Sequence, residues 1–131
     1  MAPHPYIVQL AEDSAPLREL LSSQLGQLPG VRVAAASPSA SEALAHIEAG
    51  LPDLLVLDLQ LDHSSAFDVL RGLVRVDGRP RVVMLTNHSG PETREACRAA
   101  GADAFFDKSA EFGLFLDSVR RWAMETGGVS E

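Results

Sequence analysis

The feature that most constrains the fold is a run of four large apolar residues, 54–57, that ends on the carboxylate of Asp58. A strand without polar alternation is typical of a parallel sheet that is covered by helices on both faces. A second run, residues 82–85, ends on Thr86. In open α/β sheets, ligands bind in the crevice outside the carboxyl ends of the strands. The two runs therefore predict a buried parallel sheet with Asp58 and Thr86 at its functional edge.

Strand and helix patterns alternate five times along the chain. A helix follows each strand, and its start is marked by a hydroxyl cap, a Gly-Pro pair or a change to helical spacing. This alternation predicts an α/β protein of flavodoxin-like (βα)5 type, doubly wound, with a five-stranded parallel sheet of order 2-1-3-4-5 and helices on both faces. The predicted strands cover residues 6–10, 31–36, 54–57, 81–85 and 104–106, and the helices begin near Ser14, Ser39, Ala66, Gly90 and Ser109.

Apolar residues at helical spacing predict the buried faces of the first, second, third and last helices. Ser39 and Glu42 have the spacing of a capping box at the start of the second helix, and Ser109 is predicted to cap the last helix. The predicted faces are Leu17, Leu20, Leu21, Leu25 and Leu28; Ala43, Leu44 and Ile47; Phe67, Leu70 and Val74; and Phe112, Phe115, Leu116, Val119 and Met124.

Length and charge exclude several classes of function. A chain of 131 residues is expected to form one domain, over residues 6–125, between a disordered lead-in at 1–5 and a flexible tail at 126–131. A net charge of −7 opposes direct contact with nucleic acid or with an anionic membrane. The single cysteine, Cys97, cannot form an intramolecular disulfide, and no signal-peptide pattern is found at the start. We therefore expect a cytoplasmic protein, with Cys97 as a small, buried or half-buried apolar side chain.

Polar residues that could do chemistry follow four of the five predicted strands. Glu12 and Asp13 follow the first, Asp58 the third, Thr86 the fourth and Lys108 the fifth. Carboxylates that lie close together need a cation to offset their repulsion, and oxygen ligands of this kind suit Mg²⁺. A lysine and a hydroxyl opposite them suit a phosphoryl group. The set therefore predicts phosphoryl transfer, with an aspartate as the acceptor.

With these motifs in this order, the chain resembles the receiver domain of two-component response regulators, of the chemotaxis-response-regulator kind, over residues 6 to about 124. The resemblance implies that Asp58 is the phospho-acceptor and that Mg²⁺, for which Mn²⁺ can substitute, is the cofactor. It also implies roles for the residues around it. These are metal binding by Glu12, Asp13, Asp58 and the backbone carbonyl of Leu59, phosphoryl binding by Thr86 and Lys108, and an aromatic switch at Phe105.

The resemblance also implies the partners. A sensor histidine kinase or a histidine phosphotransfer protein would donate the phosphoryl group. The fourth helix, fifth strand and fifth helix would form the face that binds a downstream protein or a second copy of the chain. Arginines on the last two helices, Arg94 among them, are interpreted as solvated.

The chain departs from the family pattern beside the expected site. Asp62, His63 and Ala66 replace the usual Pro-Gly turn and glycine, Asn87 replaces a small residue after the threonine, and Ser109 replaces the proline after the lysine. Residues expected to border the site are Gln60, Asp62, Asn87 and His88.

Two other functions are compatible with the same residues. The fold could serve as an interaction module that is not phosphorylated, for which Asn87 and the unusual loop are the signs. It could also be a phosphatase that passes through an aspartyl phosphate, although the short connections leave little room for a substrate cap. The preferred interpretation is a switch that accepts a phosphoryl group and can autodephosphorylate, and that is not a turnover enzyme.

Overall fold

Five parallel strands form the main sheet, and a two-stranded hairpin lies in the loop after its central strand. The computed structural model describes residues 4–127, with side chains to residue 125. Residues 1–3 of the expected lead-in and 128–131 of the expected tail lie outside the described residues. The elements are β1 Tyr6–Ala11, α1 Ala15–Gly26, β2 Val31–Ser37, α2 Ala40–Ala49, β3 Leu54–Leu57, β4 Gln60–Leu61, β5 Ser64–Ser65, α3 Ala66–Leu73, β6 Arg81–Thr86, α4 Pro91–Ala99, β7 Ala104–Asp107 and α5 Phe112–Gly127.

The main sheet has the order β2-β1-β3-β6-β7, and all its pairs are parallel. This confirms the flavodoxin-like (βα)5 order 2-1-3-4-5, since β6 and β7 are the fourth and fifth strands of the sheet. The hairpin β4–β5 is antiparallel and occupies a segment that the sequence predicts as irregular. His63, at its turn, has a positive φ of 53°.

The sheet separates two apolar cores, as expected for a strand that is apolar on both sides. Leu55 and Leu57 pack with α2, α3 and the fully buried Cys97 of α4, whereas Leu54 and Val56 pack with α1 and α5. Because successive side chains of a strand point to opposite faces, one short apolar run supplies both cores. The predicted burial of Cys97 is confirmed.

Helix starts follow local hydrogen bonding, and one predicted cap is wrong. The side chain of Ser14 caps α1 by accepting from the amide of Leu17 at 3.4 Å. Ser39 accepts from the Glu42 amide at 3.3 Å, which is half of the predicted capping box. Ser109 does not cap the last helix, because α5 begins three residues later, at Phe112.

Four residues of the predicted apolar faces are exposed in the structure. Val74 is 75% exposed because it follows the last residue of α3, and Met124 is 61% exposed in the last turns of α5. Leu17 and Leu20 of α1 are 37% and 50% exposed, so that only Leu21 and Leu25 of that helix are buried. Within residues 4–127, no helix is both long enough and apolar enough to cross a membrane.

Candidate functional site

The predicted site residues meet at the carboxyl edge of the main sheet. The amide of Asp58 donates to the carbonyl of Ala11 at 3.1 Å, and the amide of Lys108 donates to the carbonyl of Thr86 at 3.0 Å. These two bonds extend the parallel pairing by one residue beyond the strands. They place Asp58 beside the end of β1 and Lys108 beside the end of β6, which brings residues far apart in sequence together.

Three carboxylates form an acidic cluster, defined here as Glu12, Asp13 and Asp58. One ligand atom of each lies within 4.8 Å of the others. Glu12 is buried, Asp58 is half-buried and Asp13 is exposed, so the cluster opens to solvent on the Asp13 side. Three negative charges at this distance repel one another and favour a cation between them.

Lys108 bridges the two more buried members of the cluster. Its ammonium donates to Asp58 Oδ2 at 2.6 Å and to Glu12 Oε1 at 2.7 Å, and its side chain is 14% exposed. Burial by itself would lower the pKa of Lys108, but the hydrogen bonds to Asp58 and Glu12 hold it above the usual lysine range. Burial raises the pKa of Glu12, and the bond from Lys108 opposes that rise. The lysine thus stays charged and offsets one of the three carboxylates.

Backbone amides hold the carboxylates in fixed orientations. Asp58 Oδ1 accepts from the amide of Leu59 at 2.7 Å, and Glu12 Oε2 accepts from the amide of Ser14 at 3.0 Å. The carbonyl of Leu59, expected as a metal ligand, accepts from the amide of Ala66 at 2.8 Å. One lone pair of the Leu59 carbonyl oxygen is therefore directed to the start of α3.

Thr86 and Phe105 lie on the neighbouring strands β6 and β7. Thr86 is fully buried, and its Oγ1 accepts from the amide of His88 at 3.2 Å. Phe105 is half-buried and pairs in register with Met84, two residues before Thr86 on β6. Phe105 thus lies on the strand next to Thr86, two residues before Asp107, the register partner of Thr86.

The side chain of Arg94, predicted to be solvated, is 40% exposed and also binds neighbouring groups. Its guanidinium lies 4.6 Å from the centre of the Phe105 ring and donates to Glu111 Oε1 at 3.2 Å and to the carbonyl of Ser89 at 3.1 Å. The same Glu111 oxygen accepts from the amide of Asp107 at 2.8 Å. Arg94 thus covers the outer face of Phe105 and links α4 to the loop before α5.

The bordering residues divide into two groups. Asp62 is more than half exposed and lies 3.5 Å from the ring of His63, also at the surface; it is not among the three carboxylates of the acidic cluster. Gln60 is also exposed. Asn87, in contrast, accepts a 2.9 Å hydrogen bond from Ser109, beside Thr86 and Lys108.

Sequence reasoning missed the two side-chain networks around the site. Ser109 was assigned to a helix cap and Arg94 to solvent, although both bind side chains on other elements. Asn87 and Ser109 each follow a predicted phosphoryl-binding residue, so their positions were a usable signal for a contact between them.

Comparison with known proteins gives one consistent result. A family model described as the response regulator receiver domain matches residues 8–120. A protein-glutamate methylesterase/protein-glutamine glutaminase of Chromobacterium violaceum is 34% identical over 124 residues, which cover 90% of this chain and 34% of that protein. The chain spans about a third of the length of the curated relatives it matches.

Solved structures of similar fold cover nearly the whole chain. The response regulator domain of Thermotoga maritima CheB is 20% identical with a TM-score of 0.76, over 98% of this chain and 100% of that one. A chain in the structure of the P1 domain of CheA3 in complex with CheY6, from R. sphaeroides, is 26% identical with a TM-score of 0.73, over 93% of this chain and 98% of that one. A LuxR-family response regulator of Aurantimonas is 24% identical with a TM-score of 0.83, over 94% of this chain and 88% of that one.

Proposed function

Because the chain belongs to the response regulator receiver domain family of two-component signalling, we propose that Asp58 accepts a phosphoryl group and that this change switches a protein-binding surface. The observation that carries the proposal is the position of Lys108, which bridges Asp58 and Glu12 at 2.6 and 2.7 Å. A charged lysine in this position can exchange a carboxylate oxygen for a phosphoryl oxygen without leaving the site.

The chemical step is an in-line displacement at phosphorus. An oxygen of Asp58 bonds to the phosphorus of a phosphohistidine, the nitrogen–phosphorus bond breaks, and the imidazole nitrogen keeps the electron pair and takes up a proton. Phosphorylation of Asp58 removes the negative charge of its carboxylate from the cluster and places the charge of the phosphoryl oxygens beside it. Lys108 and the hydroxyl of Thr86 then stabilise that charge.

The acidic cluster supports Mg²⁺ as the cofactor, with Mn²⁺ as a substitute. Three carboxylate oxygens within 4.8 Å suit a hard divalent cation, which keeps water in its remaining positions. When bound, the ion supplies positive charge to the oxygens of the transferred group. Asp13, the exposed member, leaves the site open to that ion.

A backbone carbonyl is the further metal ligand in this proposal, and it comes from Gln60 in preference to Leu59. The Leu59 carbonyl binds the amide of Ala66. Hydrogen-bonded and non-hydrogen-bonded residue pairs alternate along an antiparallel ladder. Leu59 and Ala66 are hydrogen-bonded, so the next pair, Gln60 of β4 and Ser65 of β5, is a non-hydrogen-bonded pair. The Gln60 carbonyl therefore points away from β5 and keeps both lone pairs for a ligand.

A histidine kinase or a histidine phosphotransfer protein is the proposed donor. A groove of about 370 Å³ leads to Lys108 between α1 and the loop before α5. Leu17 and Leu20, both exposed, line this groove together with Phe112. Such an apolar wall beside the lysine suits a helix that carries the phosphohistidine.

The proposed output surface is α4, β7 and α5, through which a downstream protein or a second copy would bind. When the Thr86 hydroxyl moves to a phosphoryl oxygen, the space next to Phe105 changes. Because Arg94 covers that ring and binds Glu111 of the next loop, a turn of the ring alters the outer surface of all three elements. The methylesterase named for the relatives does not enter the proposal, since the match spans a third of those proteins.

Intact-mass spectrometry after incubation with acetyl phosphate tests the proposal. We expect an adduct of one phosphoryl group that needs Mg²⁺ and that is lost in Asp58→Asn. The control is Asp62→Asn, which removes a nearby carboxylate outside the acidic cluster and should leave the adduct in place. No adduct on the wild type, under conditions that label a known receiver, would favour a phosphorylation-independent interaction module instead.

A further inference from the structure

Arg18, in the first turn of α1, binds the loop that carries two members of the acidic cluster. That loop, residues 12–14, joins β1 to α1. The Arg18 guanidinium donates through Nη1 to the carbonyl of Glu12 at 2.8 Å and to the carbonyl of Asp13 at 3.4 Å. The backbone amide of Arg18 donates to the carbonyl of Ser14 at 2.8 Å. One residue thus binds three consecutive carbonyls of the loop.

Asp13 is the member of the acidic cluster that depends most on this contact. The carboxylates of Glu12 and Asp58 each accept two hydrogen bonds, one of them from Lys108. Within the part of the chain that the structure describes, no such bond holds the carboxylate of Asp13, which is exposed. The backbone therefore restrains the direction of this carboxylate, and Arg18 is the side chain that binds that backbone.

We propose that Arg18 is a positioning residue that holds the backbone of Glu12 and Asp13 so that both carboxylates face a divalent cation. The inference rests on the proposed function, in which Mg²⁺ binds the acidic cluster. A loop without this restraint has to be ordered when the ion binds, and the conformational entropy lost at that step weakens binding. Arg18 orders the loop beforehand, in the metal-free protein.

The positive charge of Arg18 has the opposite effect on the same equilibrium. A guanidinium beside a cation site repels the cation. Among the ion pairs of the described residues, none involves Arg18, so no bound carboxylate offsets this repulsion. If charge alone mattered, a neutral residue in place of Arg18 would strengthen metal binding. Positioning predicts weaker binding from the same substitution, so the sign of the change separates the two effects.

The test is the metal affinity of Arg18→Ala and Arg18→Lys, measured by titration with Mn²⁺. The electron paramagnetic resonance signal of the free ion gives the amount of bound metal, and competition with Mg²⁺ gives the affinity for that ion. We expect Arg18→Ala to raise the dissociation constant about tenfold, the lower end of the range for residues that orient metal ligands. Arg18→Lys should recover most of the affinity, because a single nitrogen makes both side-chain bonds to the loop.

Arg79→Ala is the matched control. Arg79 also donates to a backbone carbonyl, that of Gly101, at 2.7 Å. It precedes β6 and so lies at the amino edge of the sheet, opposite the acidic cluster. The control removes the same charge and the same kind of bond, and its metal affinity should match that of the wild type. Urea unfolding checks that each variant is folded; Arg18→Met, also neutral and without a donor, replaces Arg18→Ala if the latter is not.

A second measurement is the rate at which acetyl phosphate labels Asp58 at increasing Mg²⁺ concentrations. Arg18→Ala should need about tenfold more Mg²⁺ for its half-maximal rate. Its maximal rate should equal that of the wild type, because Arg18 binds the loop and not the phosphoryl group.

Each outcome bears on one of the two proposals. Unchanged or tighter metal binding by Arg18→Ala overturns the positioning role, and so does a slow labelling rate that added Mg²⁺ does not restore. A wild type that binds no Mn²⁺ and takes no phosphoryl group refutes the proposed function itself. Normal metal binding and labelling of both wild type and Arg18→Ala refute only the role of Arg18.

Discussion

Asp13→Asn is expected to stabilise the metal-free protein while it removes the response to Mg²⁺. The ligand atoms of the acidic cluster lie within 4.8 Å of one another. Two unit charges at that distance repel by about 3.5 kcal/mol at an effective dielectric constant of about 20, and by about 0.9 kcal/mol in water. Because Asp13 is exposed, the lower part of this range applies, and Lys108 offsets part of it. We expect a gain of about 1 kcal/mol in the free energy of unfolding without metal.

With Mg²⁺, the wild type should become more stable to unfolding than Asp13→Asn. A ligand that binds only the folded state at ten times its dissociation constant adds about 1.4 kcal/mol. Wild type should gain this amount with Mg²⁺, and Asp13→Asn should gain much less. Urea unfolding at neutral pH, with Mg²⁺ or with a chelator, measures both effects.

The control for that experiment is Asp117→Asn, which removes the same charge from an exposed position on α5. It should change neither the metal-free stability nor the response to Mg²⁺. The electrostatic reasoning is refuted if Asp13→Asn destabilises the metal-free protein, or if the variant and the wild type gain equally from Mg²⁺.

Two further predictions concern the charged contacts around the site. Lys108→Met should lower the free energy of unfolding by about 3–5 kcal/mol in urea experiments without metal, because it leaves two poorly solvated carboxylates unpaired; a loss below 1 kcal/mol would contradict the bridge. The amide of Asp107 and the guanidinium of Arg94 hold the pKa of Glu111 below its usual range. Its contribution to stability is therefore present above the ordinary glutamate pKa of about 4.3 and is lost as the pH falls through the lower folded value. Glu111→Gln should be less stable than wild type at pH 7 and should lose less stability on acidification, as urea midpoints at several pH values would show; parallel curves would argue against the ion pair.

The sequence predicted the sheet, and the position of the candidate site residues at its edge, because both depend on short-range signals. Runs of apolar residues without alternation indicated strands buried on both sides, and the polar residue after each run indicated the edge where Asp58, Thr86 and Lys108 meet. The strand order follows from the fold class, and the structure confirms it.

What the sequence could not predict depends on where each helix begins and ends, and on contacts between loops. The apolar periodicity that includes Val74 continues past the end of α3, so the pattern assigned to the core a residue that is 75% exposed. Serine before an apolar run is typical of a helix cap, but the turn at Asp107 delays α5 and leaves Ser109 free to bind Asn87. The carbonyl of Leu59 was expected at the metal from the family resemblance, and the hairpin beside it, next to which this carbonyl accepts from the amide of Ala66, was not predicted.

The most direct test of the account is a crystal structure with Mg²⁺ and beryllium trifluoride, an analogue of the phosphoryl group. We expect the analogue on an Asp58 carboxylate oxygen, its fluorines in contact with Lys108 Nζ and Thr86 Oγ1, and Mg²⁺ on the acidic cluster. An analogue bound at another carboxylate, or a metal ion away from Asp13 and Asp58, would contradict it.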